Sequence, residues 1–315
     1  MKKVVLSVVA ALALSAAPAF AADMPAKAAP AAPAAAPSPW DIAFGSALMN
    51  DYMFRGITQS GHNPSVAAYF EPRYNINSNW QLYAGISGES IKFANDAAAE
   101  IDFYGGVRPT FGPVALDFGI WEYYYPGGTN NYVINSVPGV YGSISDQSFY
   151  EVYGHATWTV NDIIAIGANV YYTPSWLATG APGTYFSGTA KLTAPSSMLP
   201  AGIGAYLSGE LGRQDLGSVK AIPNVYTISQ AGTSLPSYTT WNVGLGFTWK
   251  VFTLDLRYTD TDLSKSDCFI LTGDPGAGLG GTTSVLNPTP ALQSNWCGST
   301  FIAKLSADLT LGSLK

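Results

Sequence analysis

Residues 150–160 read YEVYGHATWTV, and apolar and polar side chains alternate along this stretch. Val152 and Trp158 fall on one face of an extended chain, whereas Glu151 and His155 fall on the other. A period of two indicates a β-strand with different surroundings on its two faces. About 9–11 residues is also the length that a tilted strand needs to cross a bilayer. The stretch therefore predicts a membrane-spanning strand with one lipid-facing and one lumen-facing side.

The same alternation recurs in twelve segments from Asp41 onward. They cover approximately residues 41–57, 64–76, 80–93, 99–110, 114–126, 148–160, 163–174, 184–194, 201–213, 237–249, 252–263 and 298–311. An even number of strands is required in single-chain bacterial membrane barrels. The predicted fold is all-β: a transmembrane antiparallel up-and-down β-barrel of about 12 strands.

The connections between these segments alternate between two lengths. Short turns lie at 77–79, 111–113, 161–162, 195–200 and 250–251, and the other set lies at 59–63, 94–98, 127–147, 175–183, 214–235 and 264–297. Short turns at one end and long loops at the other are typical of outer-membrane barrels. We also expect two aromatic belts, with Trp80 and Trp249 near the turns and Phe54 and Tyr150 near the loops. Glu122 is a charge deep on the predicted lipid face, where we expect a bulge or a headgroup-level position.

The composition supports a membrane barrel and argues against other classes. The 315 residues are 47% hydrophobic and only 11% charged, with a net charge of −6, and the mean hydropathy is only +0.13. Soluble domains average about 25% charged residues, and a bundle of membrane helices would be more apolar. There is no basic patch for nucleic acid. The expected partners are outer-membrane lipid and lipopolysaccharide, the barrel-assembly machinery, and small hydrophilic solutes or ions.

The N-terminal region predicts export and a spacer. Lys2 and Lys3 precede an apolar run and a small-residue cleavage site, so residues 1–21 form a predicted Sec signal peptide. Residues 22–39 are rich in Ala and Pro and are predicted to be an extended periplasmic linker. The barrel is assigned to residues 40–315. The predicted location is the outer membrane of a Gram-negative bacterium.

Alternate residues of a strand face opposite sides of the sheet, and this strand parity assigns a set of ionisable side chains to the lumen. They are Asp51, Arg55, Glu71, Arg73, Glu89, Glu100, Asp102, Arg108, Asp117, Glu151, His155, Lys191, Glu210, Asp255, Arg257, Lys304 and Asp308. Barrels of about 8 strands are packed shut and those of about 16 hold a channel. Two alternatives remain open for twelve strands: a narrow pore that weakly favours cations, or a network of ion pairs that plugs the barrel. Arg55 is either a constriction residue or a partner of a neighbouring acid.

Cys268 and Cys297 are the only cysteines, and they bracket the last long loop. Antiparallel pairing of the flanking strands would bring them together in an oxidising compartment, so we expect a disulfide. The run DTDLSKSD at 260–267 lacks the Gly and closing Glu of a calcium loop, so no metal is expected. No G-x-S-x-G motif is present and no cofactor motif is found, so we expect a protein that is not an enzyme.

Residues 50–60, NDYMFRGITQS, resemble the DY-x-FRG-[IV]-[ST]-QS opening of the TorF-like family of predicted proteobacterial porins, also called Gcw_chp. EIDFYGG at 100–106 is similar to that family's EIDLYAG strand, and IWEYYYPG at 120–127 to its Y-x-YPG strand end. The resemblance implies an outer-membrane barrel with a pore, and it supplies neither a catalytic residue nor a substrate. One departure from outer-membrane strands is the C-terminus, LGSLK, which lacks the aromatic residue that the assembly machinery recognises.

The sequence thus predicts an outer-membrane porin for passive diffusion of small hydrophilic solutes or ions through a narrow, mixed-charge lumen. The alternative is a closed structural barrel that displays long extracellular loops for adhesion or surface display.

Overall fold

The structure is a computed structural model, and it describes residues 39–128, 131–133, 141–143, 146–221 and 230–314. The predicted signal peptide at 1–21 and nearly all of the predicted linker lie outside the described residues. So do parts of the predicted loops at 127–147 and 214–235. Within the described ranges, no helix combines the length and the apolar character that a membrane crossing requires.

Twelve antiparallel strands close into one barrel, which confirms the predicted fold. In chain order they are β1 Trp40–Met49, β2 Ser65–Asn75, β3 Trp80–Glu89, β4 Glu100–Phe111, β5 Val114–Tyr124, β6 Phe149–Thr159, β7 Ile164–Thr173, β8 Gly183–Thr193, β9 Ile203–Leu216, β10 Tyr238–Trp249, β11 Phe252–Thr261 and β12 Thr300–Thr310. Each strand pairs with its neighbours in sequence, and β1 closes the barrel against β12, with Met49 opposite Lys304. Closure pairs the backbone groups of every barrel strand, which a lipid environment requires.

The outward face of the barrel is an apolar band between two aromatic belts. Leu82, Ile86 and Leu245 are typical of the band, each more than 40% exposed because none of the described residues covers that face. Outward aromatic residues near the short turns are Trp40, Trp80, Phe111, Trp158 and Trp249, and those near the long loops are Phe103, Tyr124, Tyr150, Tyr172, Phe186 and Phe301. Such belts mark the two headgroup levels of a bilayer.

Two details of the predicted outward face need correction. Phe54 is not part of the loop-side belt, because it is buried inside the barrel. No bulge occurs at Glu122, which keeps an unbroken register opposite Phe103 and Tyr150. Glu122 lies two residues before the loop-side end of β5, so its carboxylate can reach the headgroup level.

Tyrosine rings fill the interior by lying over glycines on the neighbouring strand. Tyr104 faces Gly85 and Tyr206 faces Gly246 in direct cross-strand pairs. A Cβ atom on either glycine would overlap the opposing ring. The same arrangement joins Tyr69 to Gly45, Tyr83 to Gly106 and Tyr153 to Gly119. Tyr185 lies over Gly212 diagonally, because its direct partner on β9 is Gln214. This alternation of large and small residues lets a narrow barrel hold many aromatic rings in its lumen.

Replacing Gly246 with Val tests this packing. The added side chain would displace the Tyr206 ring, and overpacking of this kind costs about 1–3 kcal/mol. We expect the Gly246→Val barrel to unfold at lower urea concentration than the wild type in detergent micelles. The matched control is Gly188→Val, because Gly188 faces outward and its Cβ would meet no atom within 4 Å. Equal loss of stability in both variants would contradict the interlocking of rings and glycines.

Candidate functional site

A short segment folds from the loop end into the mouth of the barrel, and we call residues 50–63 the plug segment. The prediction that the first strand runs to residue 57 is wrong, because β1 ends at Met49. At this point the Asn50 side chain bonds to β12, donating to the Phe301 carbonyl at 3.0 Å and accepting from the Ala303 amide at 2.6 Å. The chain then leaves the barrel wall and turns inward.

The plug segment contains a minimal hairpin with Arg55 at its tip. Met53–Phe54 pairs with Ile57–Thr58, and the two residues between them have positive φ, 47° at Arg55 and 78° at Gly56. Positive φ at both central residues is the requirement of a type I′ hairpin turn. Glycine adopts this conformation freely, whereas arginine does so only when its surroundings hold it there.

Arg55 is held by a buried, bidentate ion pair. Its Nη1 and Nη2 donate to the two carboxylate oxygens of Glu151 at 2.9 and 2.7 Å, and Nη1 also donates to Gln214 Oε1 at 2.9 Å. Glu151 is 0% exposed and accepts a third bond from the Tyr123 hydroxyl at 3.1 Å. A paired guanidinium and carboxylate with this geometry orients the hairpin as well as neutralising both charges. Arg55 therefore reaches into the lumen from the plug segment, whereas the alternation of residues predicts it on a strand of the barrel wall.

Aromatic rings surround the same guanidinium. The Arg55 Cζ lies 4.3 Å from the ring centre of Tyr185, 4.6 Å from that of Phe54 and 4.8 Å from that of Tyr171. The Trp176 ring lies slightly further away, at 5.6 Å. A desolvated cation over several ring faces gains electrostatic stabilisation beyond its ion pair. These rings come from the plug, the wall strands and the loop after β7, so Arg55 joins three parts of the molecule.

Asp51 organises the base of the plug segment. Its Oδ1 accepts from the hydroxyls of Thr58 at 2.5 Å and Ser60 at 3.0 Å, and its Oδ2 lies 2.6 Å from Nδ1 of His62. The hydrogen bond with Asp51, opposed by partial burial, raises the pKa of His62 above its ordinary value of 6.5. Asp51 itself is buried, facing its own segment. The alternative that Asp51 pairs with Arg55 is wrong, because Arg55 pairs with Glu151.

A second charge cluster fills the lumen nearer the short turns, and we call Glu71, Arg73, Arg108 and Asp117 the basal ion cluster. Arg108 donates to both oxygens of Glu71 at 2.7 and 3.1 Å and to Asp117 at 3.0 Å. Arg73 donates to Glu71 at 2.5 Å. The Arg108 guanidinium also lies 3.5 Å above the ring centre of Tyr83, whose hydroxyl donates to Asp117. Two acids and two arginines thus close this part of the lumen with balanced charge.

The opposite wall carries a third group of charges. Arg257 donates to both oxygens of Asp255 at 3.0 Å, and Asp255 accepts from Tyr206 at 2.8 Å. Glu210 accepts from Tyr185 at 2.8 Å, and Asp308 accepts from Tyr69 at 3.2 Å. The Lys191 ammonium lies 4.2 Å from the ring centre of Tyr206, and Lys304 is buried directly opposite Asp255 in the sheet register.

The lumen acids not yet described differ from the ion pairs above. Among the described residues, no lysine or arginine lies within ion-pair distance of them. Glu89, Glu100 and Asp102 lie together at the loop end of β3 and β4. His155 is buried between the rings of Tyr153 and Tyr171, at 4.6 and 5.0 Å between centres. Most of the seventeen parity-assigned side chains are buried, and only Arg73, Lys191, Glu210 and Asp308 are half-buried. Side chains therefore occupy much of the described lumen.

The predicted disulfide between Cys268 and Cys297 is present, with a Cα–Cα distance of 5.7 Å. It links two points of the loop between β11 and β12, residues 262–299, which we call the clasp loop. The loop begins with a short helix, α1, at Lys265–Thr272. That helix was not predicted, although Ser264 caps it by accepting from the Asp267 amide at 3.1 Å. The clasp loop contacts the plug directly, because the Thr58 amide donates to the Trp296 carbonyl at 2.9 Å and Ile57 bridges to Cys297. The disulfide therefore supports the outer side of the plug.

An aromatic recess opens above the plug segment on the loop side. It has a volume of about 550 Å³, including space open to solvent. The recess is lined by Phe54 and Thr58 of the plug, Trp176, and Leu271 and Trp296 of the clasp loop. A molecule entering this recess would contact the plug before reaching the lumen.

Parity did not identify the tyrosines as functional residues. Tyr52, Tyr123, Tyr185 and Tyr206 each donate a hydrogen bond to a lumen carboxylate. Part of the signal was present in the sequence, because Tyr123, Tyr185 and Tyr206 occupy inward-facing positions in the alternation of their strands. Nothing in the sequence indicates that Trp176 and Gln214 contact Arg55. Predicting those contacts requires knowing that residues 50–63 fold into the lumen, and the sequence of this segment does not show that.

A family model described as "Bacterial protein of unknown function (Gcw_chp)" matches residues 33–274. No curated protein matches the chain.

Solved structures of outer-membrane proteins are similar in shape at low identity. The COG4313 outer membrane channel from Pseudomonas putida F1 is 11% identical with a TM-score of 0.44, over 88% of this chain and 97% of that one. A NanC porin is 9% identical with a TM-score of 0.42, over 86% of this chain and 100% of that one. LpxR from Salmonella typhimurium is 8% identical with a TM-score of 0.38, over 85% of this chain and 99% of that one.

Removing the disulfide should loosen the clasp loop while the barrel stays folded. A crosslink closing about 30 residues restricts the unfolded loop by about 3–4 kcal/mol. We expect the double variant Cys268→Ser, Cys297→Ser to be cleaved faster by added protease within residues 262–299. Heat-modifiable migration on gels should persist, since the twelve-strand ladder does not include the clasp loop. Equal cleavage rates of the oxidised wild type and the double variant would contradict this role.

The His62 contact should make the plug segment pH-dependent. Because the pKa of His62 is raised in the folded state, its stabilising contribution is fully present below the ordinary pKa of 6.5 and is lost as pH rises through the raised value. We expect amide hydrogen exchange in the plug segment, corrected for intrinsic rates, to accelerate as pH rises above the ordinary pKa of 6.5 and through the raised pKa of His62. The His62→Gln variant should not show this added acceleration. Parallel pH profiles for the two proteins would refute the assignment.

Proposed function

The chain belongs to the bacterial Gcw_chp family, and on that premise we propose that it is an outer-membrane channel for small hydrophilic solutes or ions. In this proposal the plug segment closes the mouth of the channel in the present structure. Opening requires the segment to leave its site without unfolding the barrel.

The outer surface supports the membrane assignment. An apolar band between two aromatic belts matches the hydrocarbon core and its two headgroup levels. The connections at the ends of the strands also alternate between short turns and longer loops. We therefore propose periplasmic turns, extracellular loops and an outer-membrane location, with lipid, lipopolysaccharide and the assembly machinery as partners. Export by the predicted signal at 1–21 belongs to the same proposal.

The observation that carries the channel function is the way the plug segment is attached. Its two short strands pair with each other, and no barrel strand continues into them. Its deepest anchor is the bidentate side-chain pair of Arg55 with Glu151. Water entering the mouth could solvate both groups, so the anchor can exchange its partners when the plug moves. Inside the lumen the hairpin is held by side chains, and its backbone bonds go to loop residues at Lys92 and Trp296, so it is removable in a way that a wall strand is not.

The lumen below the plug supports passage of hydrophilic rather than apolar solutes. Parity assigns ten acids and six bases to it, so we propose a weak preference for cations. The basal ion cluster forms the second constriction, and its long arginine side chains can adopt other rotamers. A narrow lumen lined by charged side chains suits ions and small hydrophilic solutes.

A closed barrel that displays its loops is the second candidate. The burial of thirteen of the parity-assigned side chains favours it, and so does the balanced charge of the basal ion cluster. In this candidate the clasp loop and its neighbours would carry the function through surface contacts. The expectation that the protein is not an enzyme stays a prediction in both cases.

Substitution of Arg55 separates the two candidates. Arg55→Ala leaves the Glu151 carboxylate buried without its guanidinium, and breaking a buried pair in this way costs about 3–5 kcal/mol. We expect refolded Arg55→Ala protein in planar bilayers to show frequent, salt-dependent conductance steps, with the wild type mostly closed. The matched control is Arg213→Ala, because both ion pairs of Arg213, with Asp215 at 3.0 Å and Asp262 at 4.0 Å, are exposed near the loop end of β9.

The control should conduct like the wild type. If both variants and the wild type stay silent across a range of voltages while each migrates as a folded barrel, the channel proposal fails and the closed barrel is favoured. Conductance that rises equally in both variants would also refute the role assigned to Arg55.

A further inference from the structure

Glu89, Glu100 and Asp102 form a compact acidic trio inside the loop end of the barrel. Glu89 on β3 lies directly opposite Glu100 on β4, and Asp102 follows two residues later on the same face. One carboxylate oxygen from each residue lies within 4.8 Å of the others. Like charges directly opposite in a sheet destabilise it, so this register needs a compensating partner.

The hydrogen bonds of the trio leave several oxygens without a partner. Glu100 accepts from the hydroxyls of Tyr52 at 2.6 Å and Tyr125 at 2.8 Å. Asp102 accepts from Ser87 at 3.1 Å through Oδ2, while its Oδ1 has no partner. Both oxygens of Glu89 lack a partner, although Glu89 is only 2% exposed. These unsatisfied atoms are aimed into the space that the three residues share.

Positive charge is also missing around the trio. Among the residues that the structure describes, no lysine or arginine lies within ion-pair distance of these carboxylates. Elsewhere in the lumen, Glu71, Glu151 and Asp255 each have an arginine partner. Burying three carboxylates with neither a counter-charge nor a full set of hydrogen bonds is strongly unfavourable. The unpaired oxygens of Glu89 therefore point to a missing cation.

We propose that Glu89, Glu100 and Asp102 bind a hard divalent cation of the calcium class. The donors are all carboxylate oxygens, with neither cysteine nor histidine in the cluster, which is the ligand set of calcium or magnesium rather than zinc. Oxygens bound to one calcium ion at about 2.3–2.6 Å lie no more than about 5 Å apart. The trio meets that limit. Calcium fits better than magnesium because it tolerates irregular geometry and several carboxylates.

The site also has a structural connection to the plug segment. Tyr52 belongs to the plug and donates to Glu100, so a bound cation would order a carboxylate on which the plug rests. Cation binding would therefore strengthen the closed arrangement of the mouth. The binding site itself stands independently of the channel proposal, because it depends on the trio alone.

Terbium luminescence tests the site. Tb³⁺ has the size and oxygen preference of calcium, and the adjacent rings of Tyr52 and Tyr125 can sensitise its emission. Wild-type protein refolded in zwitterionic detergent, free of lipopolysaccharide, should give a saturable Tb³⁺ signal that added Ca²⁺ displaces. Glu89→Gln should weaken that binding about tenfold or more. The control is Glu122→Gln, which should match the wild type. Glu122 is paired with Phe103, the residue after Asp102, so it lies close to the trio in the sheet, but its side chain faces outward.

Unfolding measurements give a readout that does not depend on luminescence. Ca²⁺ should raise the thermal transition of the wild type and of Glu122→Gln, because a ligand bound only to the folded state stabilises it. Glu89→Gln should be more stable than the wild type without Ca²⁺, since it loses one buried charge, and should gain nothing from Ca²⁺. A wild type without a saturable Tb³⁺ signal, or a Glu89→Gln variant with wild-type affinity, would overturn the proposal and indicate that the trio shares protons instead.

Discussion

The pleat of a narrow, closed barrel is the constraint on which the rest of this structure depends. Every second side chain of twelve strands points at one axis, so the chain must fill a small lumen with the residues that do not meet lipid. Two solutions are used together. Tyrosine rings lie over glycines on neighbouring strands, and charged groups combine into pairs whose hydrogen bonds are satisfied locally. The result is a polar interior with the packing of a core.

The plug segment adds a different kind of element to this interior. Arg55 stands at the tip of a hairpin with positive φ, and it carries its charge into a site enclosed by rings and by Glu151. Such a conformation persists only because the surrounding contacts outweigh its cost. The clasp loop supplies part of that support through Trp296 and Cys297. Plug and wall therefore meet at one guanidinium, and the clasp loop supports the plug at Ile57 and Thr58.

Charge balance distinguishes the regions of the lumen. The basal ion cluster and the Asp255–Arg257 pair combine acids with arginines, and they are complete as they stand. The acidic trio of Glu89, Glu100 and Asp102 is not complete, because its acids face one another. Since all of these groups are buried in the same barrel, the difference lies in composition rather than in exposure. A divalent cation at the trio would offset most of the negative charge that its three carboxylates bring together.

The sequence by itself determined the twelve strands, their alternate faces, the unequal ends of the barrel and the disulfide between Cys268 and Cys297. Each of these depends on a local period or on the positions of strand ends, which the order of residues contains directly. Only the tertiary structure decided that residues 50–57 leave the wall, because the run from Met53 to Gly56 fits a strand and a hairpin equally well. It also decided that Arg55 pairs with Glu151 and that Glu89 opposes Glu100. Those contacts depend on barrel closure and on strand register, which join residues distant in the chain and leave no local pattern to read.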